Sequence, residues 1–261
     1  MMMIKPKIHR TAIVAPDAKL AEGVEIGPYS MIGENVKIDK NTKLLSHVIV
    51  EEAEIGAGCI FYPFTTIGLP PQDLKYKNEL AKVKIGDRNI IREYITIHRA
   101  SVGGDGITEI GNDNFLMAYV HIAHDCKIGN SIAMANAATL AGHVIVEDFA
   151  VIGGLVAVHQ FTRIGAYAMV GGFSGVGQDI PPYTIASGSR AKLYGLNSIG
   201  LKRYGFDEST IKDLKHAYKI LFRSKLTLKE AIDEVRLKVR QSKEIKHLIK
   251  FLEQNKRGIC R

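Results

Sequence analysis

Cysteine is scarce in this chain, and long apolar segments are missing from it. Its 261 residues include three cysteines, Cys59, Cys126 and Cys260, and no two of them form a Cys-x-x-Cys pair. This usage is typical of reduced thiols and argues against a disulfide framework or a structural zinc site. No segment approaches the roughly 18 uninterrupted apolar residues of a membrane-spanning helix, and residues 1–13 contain no apolar run of signal-peptide length. We therefore expect a cytoplasmic protein without a transmembrane segment.

Composition and charge distribution exclude further classes of protein. Hydrophobic residues make up 46% of the chain and charged residues 24%, which is the composition of a globular protein rather than a disordered or collagen-like one. The net charge of +8 is unevenly spread, because residues 190–261 hold 19 basic against 8 acidic side chains and residues 1–189 hold 16 against 19. The basic part lacks interleaved aromatics and any recognised nucleic-acid-binding motif, so we expect no nucleic-acid partner.

Aliphatic side chains recur every six residues over most of residues 1–189. An amphipathic helix needs apolar steps of three and four residues, and an alternating strand needs steps of two, so neither explains this period. The pattern is typical of a parallel β-helix, in which each hexapeptide is a short strand and a turn and about 18 residues complete one coil. We expect mainly β structure there, with glycines after the aliphatic residues at turns that need backbone freedom. The longest unbroken series is Ile110, Leu116, Ile122, Ile128, Met134, Leu140, Val146, Ile152, Val158, Ile164, Val170 and Val176.

The repeat breaks twice and then ends. We expect loops at about residues 69–84, which contain a Pro-Pro pair, and at about residues 99–109, which are rich in glycine but lack a P-loop sequence. From about residue 190 helix signals replace the repeat and predict a small basic helical domain over residues 190–261. Asp207 can cap a helix to residue 223, Thr227 opens a capping box for a helix to about residue 240, and shorter helices are predicted at 197–204 and 243–255. On these helices, His216 and His247 are expected to be solvated.

The repeat register also predicts which polar side chains meet. Residues one coil apart stack at about 4.8 Å, the spacing between paired strands. Asp125 is then directly below His143, and His124 is directly below Gly142, with His121 at the preceding corner. An isolated histidine on a β-helix is commonly a surface residue, but several that converge by register indicate a site. We interpret this group as a candidate acid/base site.

Two other interpretations concern the same residues. Zinc could be bound by His121, His124 and His143, as in hexapeptide-repeat carbonic anhydrases. Asp125 next to His124, together with a basic C-terminal domain, favours an acid/base site for a large anionic substrate. Cys126 falls on a small inward-facing position, which indicates a buried core residue rather than a thiol nucleophile.

Seven motifs, spread over nearly the whole chain, together resemble those of a single family. They are Gln72-Asp-Leu-Lys-Tyr76, Ile95-Thr-Ile-His-Arg99, His121-Ile-Ala-His-Asp-Cys126, Ala141-Gly-His143, Ala157-Val-His-Gln-Phe161, Gly171-Gly-Phe-Ser-Gly-Val-Gly-Gln-Asp-Ile-Pro-Pro182 and Gly200-Leu-Lys-Arg203. The family is that of the acyl-(acyl-carrier-protein)–UDP-N-acetylglucosamine O-acyltransferases, which catalyse the first step of lipid A biosynthesis. The resemblance implies a left-handed β-helix, a homotrimer with active sites between subunits, and transfer of an (R)-3-hydroxyacyl chain from acyl carrier protein to the 3-hydroxyl of UDP-N-acetylglucosamine.

The resemblance also implies roles for individual residues. His124 matches the family's general base, Asp125 the acid that orients its imidazole, and Gly142 the residue whose N–H binds the developing oxyanion. Gly172 matches the position that limits acyl length, and a glycine there implies a relatively long 3-hydroxyacyl chain. No metal, cofactor or covalent intermediate is implied. Positions that match the family's contacts to the nucleotide sugar and the pantetheine arm, or that line the same cleft, are Asp73, Lys75, His98, His121, His143, His159, Gln160, Asn197 and Arg203.

The chain departs from the family pattern in its helical part. Tyr204 stands where a second arginine often follows Arg203, and Ile199 stands where an acid is common, so the nucleotide contacts of this part are expected to differ. The basic side chains of residues 190–261 suit the strongly acidic acyl carrier protein, because opposite charges speed encounter.

Three other functions are compatible with a hexapeptide-repeat fold. An N-acyltransferase acting on the next acylated UDP-sugar would need a uridine-binding domain before the repeat, which here begins by Ile8. A zinc enzyme is the third candidate function. A non-catalytic scaffold would not need the stacked His124, Asp125 and His143.

Overall fold

The structure, a computed structural model, describes residues 5–101 and 104–261. Residues 7–187 wind into a parallel β-helix in which each coil contributes one short strand to each of three sheets. Most successive coils are eighteen residues apart in register, as shown by the pairs Glu25 with Lys43 and His121 with Thr139. The expected parallel β-helix is therefore confirmed.

From residue 7 to residue 176 the three sheets take their strands in strict rotation along the chain, and the last two strands then both join the first sheet. The first sheet contains β1 (Lys7–Ile8), β4 (Glu25–Ile26), β7 (Lys43–Leu44), β10 (Ile60–Phe61), β13 (Ile90–Ile91), β16 (Phe115–Leu116), β19 (Ala133–Met134), β22 (Val151–Ile152), β25 (Met169–Val170), β27 (Thr184–Ser187) and β28 (Lys192–Leu196). The second contains β2 (Ile13–Val14), β5 (Met31–Ile32), β8 (Ile49–Val50), β11 (Thr66–Leu69), β14 (Thr96–His98), β17 (His121–Ile122), β20 (Thr139–Leu140), β23 (Ala157–Val158) and β26 (Gly175–Val176). The third contains β3 (Lys19–Leu20), β6 (Lys37–Ile38), β9 (Ala53–Ile55), β12 (Lys82–Ile85), β15 (Ile107–Ile110), β18 (Lys127–Ile128), β21 (Ile145–Val146) and β24 (Arg163–Ile164).

The six-residue period follows from the shortness of these strands. Successive side chains of a strand point to opposite faces, so a strand of two residues turns one side chain outward and one inward. In β17 the inward residue is Ile122, which is fully buried, and its partner His121 faces outward. The inward aliphatic residues of successive coils stack into one continuous hydrophobic core.

The role expected for the glycines after the aliphatic residues is wrong at most positions. The left-handed backbone conformation occurs two residues later and on residues with side chains, such as Tyr29 (φ 58°) and His143 (φ 61°). The glycines are needed because adjacent coils come very close. A Cβ at Gly27, for example, would lie 2.4 Å from the carbonyl oxygen of Leu45 in the next coil.

Two segments leave the β-helix at the same corner, between the second and third sheets. One runs from the end of β11 to the start of β12, residues 70–81, and the other runs from the end of β14 to the start of β15, residues 99–106. Residues 102 and 103, within the loop expected at 99–109, lie outside the described residues. Strand pairing continues past both segments, as Thr66 pairs with Thr96 and Thr96 with His121. The two loops therefore cover the corner without interrupting the coils.

Four helices follow the β-helix: α1 (Ser198–Arg203), α2 (Glu208–Arg223), α3 (Leu228–Lys238) and α4 (Lys243–Glu253). The predicted caps are confirmed, because the Asp207 side chain accepts the N–H of Thr210 and Thr227 forms a complete capping box with Glu230. α3 ends earlier than expected because Val239 adopts an extended backbone. Within the described ranges, no helix is long and apolar enough to cross a membrane.

The helical part is fastened to the end of the β-helix. Its core includes Tyr183 from the last coil together with the inner faces of the helices. The buried carboxylate of Asp179 accepts two hydrogen bonds from Arg163, whose guanidinium also donates to the carbonyl oxygen of Phe251 in α4. The backbone of Asp179 also pairs with that of Ile259. The chain's last residues thus return to the coils near the candidate site.

Candidate active site

The site begins with a column of corner residues between the second and third sheets. Asp125, His143 and Phe161 each follow an inward aliphatic residue by three positions and adopt the left-handed conformation, with φ values of 60°, 61° and 63°. Because they lie one coil apart, their side chains stack along the corner. The rings of His143 and Phe161 are nearly parallel, with centroids 4.5 Å apart. This is the corner from which both loops leave.

His124 and Asp125 form a hydrogen-bonded pair in this column. Nδ1 of His124 lies 2.8 Å from Oδ2 of Asp125. A carboxylate oxygen can only accept, so Nδ1 carries the proton and Nε2 is left with a free lone pair. The Asp125 side chain is almost fully buried, whereas the His124 side chain keeps 16% of its surface exposed. The pair therefore presents a basic nitrogen at the surface of the corner.

Other groups hold Asp125 in its ionised form. Burial raises the pKa of its carboxyl, but hydrogen bonds from His124 and from both the hydroxyl and the N–H of Ser101 outweigh burial, so that the pKa falls below its usual value. His143 adds a second imidazole contact, its Nε2 lying 3.7 Å from Oδ2. The N–H of Asp125 itself donates to Thr108. A stable carboxylate at this place favours and orients the proton on Nδ1 of His124.

Gly142 lies directly above the His124 ring, as the register predicts. A Cβ at this position would be 2.5 Å from Cε1 and 2.7 Å from Nε2 of His124, so only glycine leaves the ring where it is. Among the residues described, the Gly142 N–H has no hydrogen-bond acceptor. The site thus combines a basic nitrogen with a free N–H donor in the adjacent coil.

Two further histidines lie on the outward face of the second sheet beside the pair. Nδ1 of His98 is 2.7 Å from the carbonyl oxygen of Pro70, so this nitrogen carries the proton and Nε2 is an acceptor. Nδ1 of His121 is 2.7 Å from the hydroxyl of Thr96. Burial, and then the neighbouring histidines, lower the pKa of His121 to about 4, and burial also lowers the pKa of His98. Both imidazoles are neutral at physiological pH and can hydrogen-bond a polar ligand.

The first loop closes the site from outside and forms one wall of a cavity. The cavity has a volume of about 1170 Å³ and reaches from this loop to the histidine pair. Burial lowers the pKa of His143, which faces the cavity, although the Asp125 and Asp73 carboxylates oppose this effect. The residues that line this cavity include Gln72, Asp73, Leu74, Lys75, Ser101, His124, His143, Gln160 and Phe161.

Comparison with known proteins identifies the family. A family model described as UDP-N-acetylglucosamine O-acyltransferase, domain 2, matches residues 179–260. Proteins named acyl-(acyl-carrier-protein)–UDP-N-acetylglucosamine O-acyltransferase from Thermodesulfovibrio yellowstonii and Syntrophobacter fumaroxidans are 69% and 48% identical, each over 98% of this chain and 99% and 100% of their own lengths. The crystal structure of UDP-N-acetylglucosamine O-acyltransferase from Moraxella catarrhalis is 45% identical and superimposes with a TM-score of 0.94, covering 97% of this chain and 99% of that one. The chain belongs to the UDP-N-acetylglucosamine O-acyltransferase family. Its β-helix is accordingly left-handed.

A single chain of this O-acyltransferase family member brings together most of the predicted site residues. Six of them meet at or beside the pair: Asp73, Lys75, His98, His121, His143 and Gln160. His159 is exposed and contacts Arg257 instead, in a separate cavity of about 780 Å³. Gly172 lies at the corner between the first and second sheets, and neither it nor Arg203 lines the cavity that holds His124. Asn197 is buried and caps α1, donating also to the carbonyl oxygen of Tyr167.

The three histidines considered as zinc ligands, His121, His124 and His143, are not the three residues whose ligand atoms lie together in the structure. The ligand atoms that lie within 4.8 Å of one another belong to His124, Asp125 and His143, whereas His121 points toward Thr96. In that set Oδ2 of Asp125 already accepts from His124 and Ser101 at 2.8 Å each. These hydrogen bonds occupy Oδ2 and direct it at His124, so the arrangement suits an acid/base pair.

Sequence reasoning missed several residues that line the site, among them Ser101 and Phe161. Ser101 lies in the second loop, where no repeat register applies, and no signal in the sequence marks it. Phe161 could have been found, because it is one coil above His143 in the same corner column.

Proposed function

We propose that this chain transfers an (R)-3-hydroxyacyl group from acyl carrier protein to the 3-hydroxyl of UDP-N-acetylglucosamine, the first step of lipid A biosynthesis, with His124 as general base. The observation that carries the proposal is the 2.8 Å bond from His124 Nδ1 to a buried carboxylate, which leaves Nε2 free beside Gly142 in a large cavity. A sugar hydroxyl attacks a thioester slowly at neutral pH, so a positioned base contributes about 10²–10⁴-fold to the rate.

The reaction needs only groups of this chain and its two substrates. Nε2 of His124 takes the proton of the 3-hydroxyl while the oxygen attacks the thioester carbonyl and forms the new C–O bond. Asp125 stabilises the imidazolium that results. The Gly142 N–H donates to the oxyanion of the tetrahedral intermediate, an interaction typically worth about 3 kcal/mol. The C–S bond then breaks, and the leaving thiolate takes the proton back from His124. The proton and electron balance is complete without a metal, a cofactor or a covalent enzyme intermediate.

Substrate binding is assigned to the residues around the pair. His98, His121 and His143 offer uncharged imidazoles for sugar and amide groups, and Lys75 offers a positive charge to the diphosphate. Asp73 and Gln160 complete the wall of the same cavity. In this proposal His159, Asn197 and Arg203 contact the nucleotide or the pantetheine arm from a neighbouring subunit, which requires an oligomer.

The distribution of outward side chains supports a homotrimer. The corner between the first and second sheets carries a stack of exposed rings with successive centroids 4.9 to 5.1 Å apart: Tyr29, His47, Phe64, Tyr94 and Tyr119. The outward residues of the third sheet are instead mainly charged: Lys19, Lys37, Glu54, Lys84, Glu109 and Lys127. Exposed apolar ridges of this length mark interfaces. We place the aromatic corner against neighbouring subunits and the third sheet toward solvent.

Acyl carrier protein is the proposed macromolecular partner, and the cytoplasm is the proposed location. The basic side chains of residues 190–261 complement an acidic carrier, so the association rate should fall as salt rises. Replacing the exposed Lys212, Lys215 and Lys219 on α2 by glutamate should raise KM for the acyl carrier and flatten its salt dependence. Unchanged values would refute docking on this helix. The three cysteines are unpaired and buried, which suits a reducing compartment.

Gly172 is the proposed determinant of acyl length. Within 4 Å, a Cβ there would meet only backbone atoms of Gly154, the carbonyl oxygen at 3.2 Å and the nitrogen at 3.8 Å, so no side chain fills the space beside this glycine. We propose a relatively long 3-hydroxyacyl substrate and expect Gly172→Met to shorten the preferred chain. Native enzyme that works best on a ten-carbon chain would contradict this.

One assay tests the reaction itself. Metal-stripped protein is given a ladder of 3-hydroxyacyl carrier proteins and UDP-N-acetylglucosamine, and the native chain is compared with His124→Ala. Transfer to the 3-hydroxyl that survives chelation and collapses in the variant is the expected result. Activity that returns only with zinc, or only with an amino-sugar acceptor, would overturn the proposal in favour of a metal enzyme or an N-acyltransferase.

A further inference from the structure

The second loop covers the buried side of the His124–Asp125 pair. Ser101 is 6% exposed and donates twice to the same oxygen of Asp125, from its N–H at 3.0 Å and from its hydroxyl at 2.8 Å. That oxygen, Oδ2, is also the acceptor of the His124 proton. Ser101 therefore contacts the acid of the pair directly and the base only through it.

All the hydrogen bonds that these donors make to the Asp125 carboxylate fall on one of its oxygens, Oδ2. Within residues 5–101 and 104–261, Oδ1 is buried and has no hydrogen-bond partner. Gly104 of the same loop closes on Oδ1, because a Cβ at that position would be 2.1 Å from it. Rotation of the carboxylate is thus opposed by two Ser101 donors on one oxygen and by loop backbone against the other.

The backbone that presents Ser101 is itself held firmly. His98 donates to the carbonyl oxygen of Pro70, and Arg99 donates to the carbonyl oxygen of Gly68 and to the hydroxyl of Tyr76 in the first loop. Ala100 is fully buried between these anchors and Ser101. Ser101 therefore occupies a fixed position, as a residue that orients another must.

We infer that Ser101 is a positioning residue of the acyl transfer reaction: its hydroxyl holds the Asp125 carboxylate in the orientation that directs His124 Nε2 at the substrate hydroxyl. The inference rests on the proposed function of the His124–Asp125 pair. Ser101 itself is not assigned a bond to the reacting atoms.

The test is a pair of isosteric variants, Ser101→Thr and Ser101→Val, which differ only by a hydroxyl in place of a methyl group. Hydrogen bonds to charged groups are worth enough that losing one should lower kcat roughly tenfold. We expect this loss in the valine variant, with KM for UDP-N-acetylglucosamine unchanged, and near-native kcat in the threonine variant. Ser101→Ala should resemble the valine variant.

The pH profile distinguishes positioning from simple loss of structure. A carboxylate with one donor fewer holds the His124 proton more strongly, so the acid limb of kcat/KM should move to higher pH in the valine variant. The titratable groups that face the pair are His98 and His121 from the second sheet, His143 from the next coil, Asp73 and Lys75 from the first loop, Asp105 from the second loop and Lys127 from the third sheet. None of these is changed by the substitution, so the shift would report the pair.

A control serine separates this effect from a general loss of stability. Ser30 is fully buried, and its hydroxyl donates to the carbonyl oxygen of Leu45 far from the site, so Ser30→Ala should lower stability without moving the pH profile. Valine and threonine variants with the same kcat and the same profile would overturn the inference. A native enzyme without acyl transfer, or a fully active His124→Ala, would instead refute the proposed function, which keeps the two failures distinct.

Discussion

Replacing Gly142 by alanine should disable the base while leaving the fold intact. The backbone at Gly142 is not in the left-handed region, so alanine introduces no conformational strain. Its methyl group would, however, lie 2.5 Å from Cε1 of His124, and carbon atoms in contact prefer about 3.5 Å or more. The imidazole must therefore move by roughly 1 Å or give up its bond to Asp125. A displacement of that size at a reacting group costs on the order of 10²-fold in rate.

The assay is kcat for acyl transfer, with the melting temperature measured beside it. We expect Gly142→Ala to lower kcat about 100-fold and to change the melting temperature little. Gly195→Ala is the matched control, because a Cβ at Gly195 meets no atom within 4 Å and its φ is not positive. The control should keep native activity.

A double-mutant cycle with His124→Ala tests whether the methyl group acts by displacing the His124 ring. If the methyl group acts by displacing His124, its penalty should vanish in a His124→Ala background, because the displaced ring is gone. A Gly142→Ala variant that keeps its rate within threefold of native would refute the steric argument. A penalty that persists in the His124→Ala background would show that the methyl group acts elsewhere.

Three further predictions follow from the same geometry. Burial and its histidine neighbours lower the pKa of His121 to about 4, so its NMR resonances should stay constant from pH 8 down to pH 5.5, and a titration near 6.5 would show that the ring is solvated. Dialysis against a chelator should leave kcat unchanged, and a loss restored by zinc would revive the metal interpretation of His124, Asp125 and His143. The two ring nitrogens of His247 contact Tyr183 and Glu147 of the β-helix at 2.8 and 3.0 Å. His247→Ala should therefore lower the free energy of unfolding by about 1–3 kcal/mol, measured by denaturant unfolding. An unchanged unfolding midpoint would show that these contacts contribute nothing to stability.

The sequence was sufficient for the parts of the site that obey the repeat. The coil length is constant from Ile110 to Val176, so adding one coil correctly placed Gly142 over His124 and His143 over Asp125. Arithmetic of this kind works because parallel strands pair in register and hydrogen bonds fix the coil spacing. It also identified Cys126 as a core residue, and burial indeed raises the pKa of this thiol to about 12.

The eighteen-residue register could not predict the positions of residues where the chain leaves the coils. Ser101 and Asp73 lie on loops whose path depends on anchors such as Arg99 and Tyr76, and no periodic pattern encodes those contacts. The expectation that His247 is solvated was wrong for a similar reason, because helix periodicity cannot show that a partly exposed ring meets Tyr183 and Glu147 across a domain contact.

The placement of the site at a corner explains why the repeat reveals the fold more fully than the function. The inward position of each short strand takes an aliphatic side chain in almost every coil, with Phe61 as an exception, so the six-residue period survives in the sequence. Corner positions adopt the left-handed conformation with many different side chains, such as Tyr29, Asp113, Asp125 and His143. That conformation costs about 1 kcal/mol or more for each of these residues, and in the corner column stacking and hydrogen bonds from neighbouring coils help to offset it. The column is therefore free to vary in chemistry without disturbing the core, which is why the pair at this corner had to be found from stacking rather than from the period itself.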